Sequence, residues 1–388
     1  MDFCFNIIQL VNTALFSTFD VLSDFLLSLD FIGLSLKLKI AKEAFNITMN
    51  EPEIHPTWGY ITMGIMFLPG LIIWPILIYM SIVVRNKKYA LIGLFLIPLF
   101  PFAMIVFQIS QIVSFCKHRV QYKEVTSLAM ILTGTEAFWE SVTQMVFQGY
   151  TILNGLYSDS QMISITASFL TLSYTSILFD VAMTTKDLTA SETFFHILST
   201  IPCYLSTIVY RVMSLSISIA FLRPFSIIPI SFLIIELSIL SYDRYKNLPL
   251  HVKGGKFIPI YISTLTNLGV LNSINMNEYF NANEDGRMTP ECIEACKKFI
   301  KRSSILTLVH HSVILLVIIS ISENHPDFFK RGEQYRLLEL EPASMEFYSI
   351  FGLTFMFGIF STTLSLNQAS KIINVNSPDP TYGLQEEF

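Results

Sequence analysis

The sequence predicts an all-α polytopic membrane protein, and two observations carry that reading. Of its 388 residues, 52% are hydrophobic and only 14% are charged, with a mean hydropathy of +0.54. A water-soluble domain of this size carries nearer a quarter charged residues. Apolar runs also recur along the whole chain at lengths matching the roughly 20 residues a spanning helix needs.

Ten apolar segments follow in order: 3–36, 58–83, 89–115, 126–150, 162–182, 194–222, 224–241, 257–275, 303–321 and 345–366. Simple alternation of all ten across a bilayer conflicts with the basic loops. Arg85, Lys87 and Lys88 follow the second segment, while Lys117, Arg119 and Lys123 follow the third. Both clusters belong on the cytosolic side by the positive-inside rule. A re-entrant third segment resolves this, since "IPLFPF" puts Pro98 and Pro101 near its middle, and each proline removes a backbone donor and resists helix continuation. The eighth segment repeats the pattern. Arg244, Lys246, Lys253 and Lys256 precede it, Lys297, Lys298, Lys301 and Arg302 follow it, and Pro259, Asn267 and Gly269 lie within it.

The expected topology is therefore eight transmembrane helices plus two re-entrant half-helices, with both termini cytosolic. Residues 1–366 form an integral helical bundle and residues 367–388 a short cytosolic tail. Of the 25 basic residues, 17 fall in cytosolic loops and tail and 7 in exterior loops, and Arg211 lies in the membrane. Asn46-Ile47-Thr48 is a glycosylation sequon in the first exterior loop. No cleavable signal peptide is expected, because a basic leader region and a small-residue cleavage site are missing from the first segment.

Seven ionisable residues sit within these segments: Asp20, Asp24, Glu136, Glu140, Asp180, Arg211 and Glu236. Each costs roughly 2.5–3.5 kcal/mol at a bilayer centre on insertion scales, so each must face protein, water or a partner. Asp20 and Asp24 are one helical turn apart, and Glu136, Glu140, Gln144 and Gln148 form a single stripe of four-residue steps. Thr200, Tyr204, Thr207, Arg211, Ser214 and Ser218 make a second stripe, and Ser173, Ser176 and Asp180 a shorter one. One arginine cannot neutralise six acids, so the set reads as a hydrated polar furrow, with Arg211 paired to one or two of the acids.

Other chemistry finds little footing. There is no phosphate-binding glycine loop and no H-E-x-x-H pattern. His310 and His311 are adjacent, so they are expected to project differently from a helix and to make a poor metal pair. The five cysteines offer no disulfide framework. Catalysis is not expected, nor is a cofactor, a bound metal or a nucleic-acid partner.

Four stretches resemble the XK-related family. "FDVLSD" (Phe19 to Asp24) resembles its aspartate-rich first helix. "EAFWESVTQMVFQGYTIL" (Glu136 to Leu153) resembles its two-glutamate signature, with Thr143-Gln144 where Pro-Gln is usual. "YRVMSLSISIAF" (Tyr210 to Phe221) resembles its helix with a buried arginine, and Asp180 falls where the family carries an acid at a helix end. The resemblance covers the first seven segments with motifs and the rest in pattern only.

It implies an ATP-independent phospholipid scramblase of the plasma membrane that exposes phosphatidylserine, several members acting in apoptosis. It also implies eight spanning and two re-entrant helices, and a headgroup path through Asp20, Asp24, Glu136, Glu140, Asp180 and Arg211. Stripe geometry adds Glu236, Gln144 and Gln148 to that path. Membrane phospholipids are the expected partners, with a single-span membrane chaperone or a second copy of the chain beside them. Caspase-regulated members carry an aspartate-ended motif in a terminal extension. Here Asp379 is followed by Pro380, and Asp285-Gly286 of "NANEDG" lies in the loop after the eighth segment, where cutting would not free a tail; the expectations left open are constitutive activity, dependence on a partner, or atypical cleavage at Asp285. The alternative is a proton- or cation-coupled transporter or channel using the same buried acids.

Overall fold

The structure is a computed structural model that describes residues 2–34, 54–83, 100, 102–118, 134, 136–155, 157–184, 190–222, 225–247, 290–324 and 344–376. Every element in this set is helical. In chain order they are α1 (Asp2–Ile32), α2 (Pro56–Val83), α3 (Phe102–His118), a π-helical segment (Glu136–Ser141) running into α4 (Val142–Leu153), α5 (Asp159–Thr184), α6 (Ala190–Leu222), α7 (Ile227–Asn247), α8 (Pro290–Asn324) and α9 (Met345–Asn376).

The pairs α1/α2, α4/α5, α6/α7, α7/α8 and α8/α9 run antiparallel. The end of α1 meets the start of α2, where the His55 amide donates to the Phe31 carbonyl at 2.9 Å and Trp58 meets Phe31 edge-on. Trp58 also packs on Phe147 and Tyr150, near the end of α4. Ser160, at the start of α5, donates to Asp30 near the end of α1. Phe221 and Leu222 close α6 against Phe347 and Phe351 at the start of α9 and Leu315 and Ile318 towards the end of α8. All these termini share one end of the bundle. At the other end, the Arg302–Asp243 ion pair ties the last turns of α7 to the first half of α8 at 2.7 Å.

This arrangement constrains the two longest interruptions. The chain leaves α2 and enters the π segment at the same end of the bundle, and likewise leaves α7 and enters α8 there. Between α2 and the π segment lies α3, which has 17 residues and is about 25 Å long. It begins immediately after Pro101, and its first residue, Phe102, packs edge-on against Phe25 of α1. Phe25 lies seven residues before the end of α1, so α3 starts about 10 Å in from that end, with Phe102 itself exposed on the outer face. Pro98, Pro101, Pro259, the Asn46 sequon and Asp285 lie outside the described residues.

Among the described residues many large apolar side chains face outward, and many polar and charged ones are buried. Ile227, Ile230, Phe232, Ile234 and Ile235 of α7 are exposed, as are Val309, Val313 and Leu316 of α8 and Leu353, Met356 and Ile359 of α9. An outer face of that composition is stable against lipid tails and unstable against water. Three described stretches, Thr200–Leu222, Lys297–Asn324 and Met345–Asn367, are long and apolar enough to cross a bilayer. The chain is a helical membrane protein. Most helices extend a few residues past the sequence-based limits, and two extend much further. α8 begins at Pro290 rather than 303, so Lys297, Lys298, Lys301 and Arg302 ride on a helical extension, and α9 runs to Asn376, across the expected boundary between bundle and tail.

Close approach is set by small side chains. A Cβ placed on Gly59 of α2 would stand 2.6 Å from the Ser28 carbonyl oxygen of α1, and one on Gly149 of α4 would meet Ser216 of α6 at 2.5–3.0 Å. These glycines let backbones meet where a larger residue would hold them apart.

Candidate functional site

Two polar clusters occupy the interior, with an apolar layer between them. The first lies where α1, the π segment, α4 and α5 meet. Asp20, Asp24, Glu136, Glu140, Gln144 and Gln148 are all buried, none more than 2% exposed. Ser17 donates to Glu136 Oε1 at 2.6 Å. Asp20 accepts from Ser141 through Oδ2 and from Ser168 through Oδ1, both at 2.7 Å. Ser164 of α5 donates to Asp24 Oδ1 and accepts from Gln148 Nε2 at 2.5 Å. Farther along the same seam Ser160 donates to Asp30 at 3.0 Å, and Gln161 donates to Thr151 at 2.8 Å.

Neutral hydroxyls and amides thus supply the hydrogen bonds. Among the described residues, no lysine or arginine pairs with Asp20, Glu136 or Glu140. Glu140 lies within electrostatic reach of Glu136, Asp20 and Asp24. Neither of its carboxylate oxygens meets a hydrogen-bond partner, and the Gln144 amide is equally unmatched. The π geometry matters here. Its wider turn brings residues four apart nearer to eclipse than an α-helix does, which stacks Glu136 and Glu140 on the face towards α1. Single-turn π segments of this kind recur at functional positions in helices.

The second cluster joins α6, α7 and α8. Arg211 Nη2 donates to Glu236 Oε1 and to Thr307 Oγ1, each at 2.8 Å. Thr307 in turn donates to Glu236 Oε1 at 2.6 Å. His310 Nδ1 lies 2.6 Å from Glu236 Oε2. The His310 and His311 rings stack with centroids 4.6 Å apart and planes 20° apart, and Tyr210 meets His311 edge-on.

Between the clusters, Phe138, Val142 and Met145 pack against Leu172 of α5, Tyr204, Ile208 and Leu215 of α6, and Leu237 of α7. The two-glutamate helix therefore carries an acid-and-amide face towards α1 and α5 and an apolar face towards α6.

Set against the sequence-based expectations, the structure gathers Asp20, Asp24, Glu136, Glu140, Gln144 and Gln148 into one seam. It separates Arg211 and Glu236 from that seam and makes them each other's partners. Asp180 lies on α5, and its side chain is outside the described set. The second stripe divides: Arg211 turns to α7 and α8, Thr207 bonds Ser361 of α9 at 2.6 Å, and Tyr204 joins the apolar layer. The expectation that the adjacent histidines project differently does not hold for their rings: side-chain rotation stacks them, although their positions on α8 diverge by about 100°. The seam also includes residues that the sequence reading passed over. Ser160, Ser164, Ser168, Thr171 and Thr175 are all buried on α5. Their spacing of four, four, three and four is the signal that marks them.

No protein-family model matches this chain, and a comparison with curated proteins finds no match.

Proposed function

We propose that the chain is an ATP-independent phospholipid scramblase of the plasma membrane, of the XK-related type. One observation carries the reading. Four carboxyl side chains and two amides run along a single interhelical seam inside an apolar bundle, with Asp20, Glu136 and Glu140 uncompensated by any described cation. A purely structural network would satisfy its groups, since each unmatched buried polar atom costs about 1–3 kcal/mol. A track for a choline or amine headgroup needs groups that are left open until the headgroup arrives. The seam is closed in this conformation, so passage requires α1 to part from α4 and α5, exposing the track to headgroups while acyl tails stay in lipid.

The topology that goes with this reading has eight spanning helices, two re-entrant ones and both termini cytosolic. It is supported by the shortness of α3, which starts about 10 Å in from the end of α1, and by the return of the chain to one end of the bundle between α2 and the π segment, and between α7 and α8. Phosphatidylserine is among the lipids moved, and no energy source is required.

The test is reconstitution into liposomes carrying headgroup-labelled lipid in both leaflets, with an external quencher. Scrambling raises the quenched fraction from about half to nearly all. Glu136→Gln with Glu140→Gln keeps side-chain size and is expected to leave the folded yield intact and change the scrambling rate, with no dependence on a proton or sodium gradient. The unpartnered Glu140 carboxylate also supports a second reading, a proton- or cation-coupled transporter. Liposomes that move no lipid but carry a proton or cation current abolished by the double change establish that reading and remove the first.

A further inference from the structure

We propose that Glu236, His310 and His311 form a transition-metal site of zinc type, buried between α7 and α8 and independent of the acid seam. One ligand-capable atom from each residue lies within 4.8 Å of the other two. All three residues are buried, His311 at 1% exposure and Glu236 at 2%. Two neutral imidazoles and one carboxylate are the donor set that borderline metals such as zinc prefer. Three protein ligands with a fourth position open is the arrangement of non-structural zinc sites.

The unmatched atoms point to a ligand. Neither ring nitrogen of His311 meets a hydrogen-bond partner, and His310 Nε2 meets none either. A buried imidazole with both nitrogens unmatched is costly to the fold, and a bound ion relieves that cost. The stacked rings hold these three unmatched nitrogens together beside a carboxylate. Arg211 and Thr307 both bind Glu236 Oε1 and leave Oε2 to the histidines. Outer groups that fix a ligating carboxylate in this way are a regular part of metal centres.

The fit needs a small rearrangement. Metal–nitrogen bonds of about 2.0–2.1 Å and metal–oxygen bonds of about 2.0–2.2 Å place tetrahedral donors about 3.4 Å apart. The ion would replace the 2.6 Å hydrogen bond between His310 Nδ1 and Glu236 Oε2, which opens by about 0.8 Å, while donors up to 4.8 Å apart close by at most about 1.4 Å, within the reach of imidazole rotation. The Arg211–Glu236 pair is neutral, so a hydroxide or other monoanion in the fourth position brings the net charge of the centre from +2 to +1.

The experiment uses the full chain purified in detergent, loaded with zinc and passed through a desalting column, with cobalt as a spectroscopic substitute. The expected result is one equivalent of zinc per chain, and visible cobalt bands of tetrahedral intensity. His311→Ala and His310→Ala should each weaken zinc binding at least tenfold while eluting as the wild type does. A background in which the other five histidines (His55, His118, His196, His251 and His325) are changed to glutamine should keep the metal. Zinc retention unchanged in His311→Ala, or absent from the wild type, overturns the site. If the alanine variants do not fold, X-ray absorption of the zinc-loaded five-glutamine background decides: two imidazole nitrogens on the metal support the site, and fewer refute it. None of these readouts involves lipid movement, so failure here leaves the scrambling test untouched, and the reverse holds too.

Discussion

Arg211→Ala would leave the Glu236 carboxylate buried beside two remaining donors, Thr307 and the His310 ring, with no cation near it. The guanidinium and carboxylate are 3% and 2% exposed, and one nitrogen, Nη2, bridges Glu236 and Thr307 at 2.8 Å each. Breaking a buried ion pair by removing one partner costs about 3–5 kcal/mol, most of it the penalty of the stranded charge. Removing both charges costs far less, because the desolvation penalty goes with them. Arg211→Ala should therefore show a clear fall in apparent melting temperature and in monodisperse yield in a fixed detergent. Arg211→Met combined with Glu236→Gln should recover much of that loss. Arg211→Lys should fall between, since an ammonium is a point charge without the planar fork. A wild-type melting temperature for Arg211→Ala would mean that the pair is not isolated from water. A double variant as unstable as the two singles added together would show that lost packing, and not stranded charge, sets the cost.

Three further outcomes follow from the packing and the topology, beside the Glu136/Glu140 double change described above. Ser164→Ala removes a donor from Asp24 and an acceptor from Gln148, so it should cost about 1–3 kcal/mol, whereas Thr166→Ala, on the exposed face two residues away, should melt within error of the wild type. Equal melting of the two variants would remove the seam's hydrogen bonds from the account of stability. Gly59→Ala drives a methyl group to 2.6 Å from the Ser28 carbonyl oxygen, and overpacking of that kind costs about 1–3 kcal/mol; the reduced thermal stability should return when Ile32 is shortened to alanine only in part, because the backbone oxygen stays in place. Full recovery would locate the clash in Ile32 alone. Cysteines introduced at Tyr89 and Lys123 should both react with an impermeant thiol reagent from the cytosolic side only, and exterior labelling at Lys123 would make the third apolar segment a spanning helix.

The helical membrane class was legible from composition and run length, because a bilayer forces backbone hydrogen bonds into helices and lipid-facing side chains into a narrow apolar set. The four-residue spacing of Asp20 with Asp24 and of Glu136 through Gln148 also showed that each set shares a helix face, since helical periodicity is local, whereas the sequence reading made those faces a hydrated furrow and the structure buries them. Partner choice was not local. Arg211 is separated by 25 residues from Glu236 and by 96 from Thr307, and nothing in the spacing says that α7 and α8, rather than α4, would lie against it. The tertiary packing decided that by placing Phe138, Val142 and Met145 between the arginine and the acid seam. The same holds for His310 and His311. Neighbours on an ideal helix diverge by about 100°, but their side-chain rotations and the facing Glu236 bring both rings onto one side. The serines of α5 lie between the two cases: their periodicity was in the sequence, while the carboxylates that give it meaning came from α1, some 140 residues away.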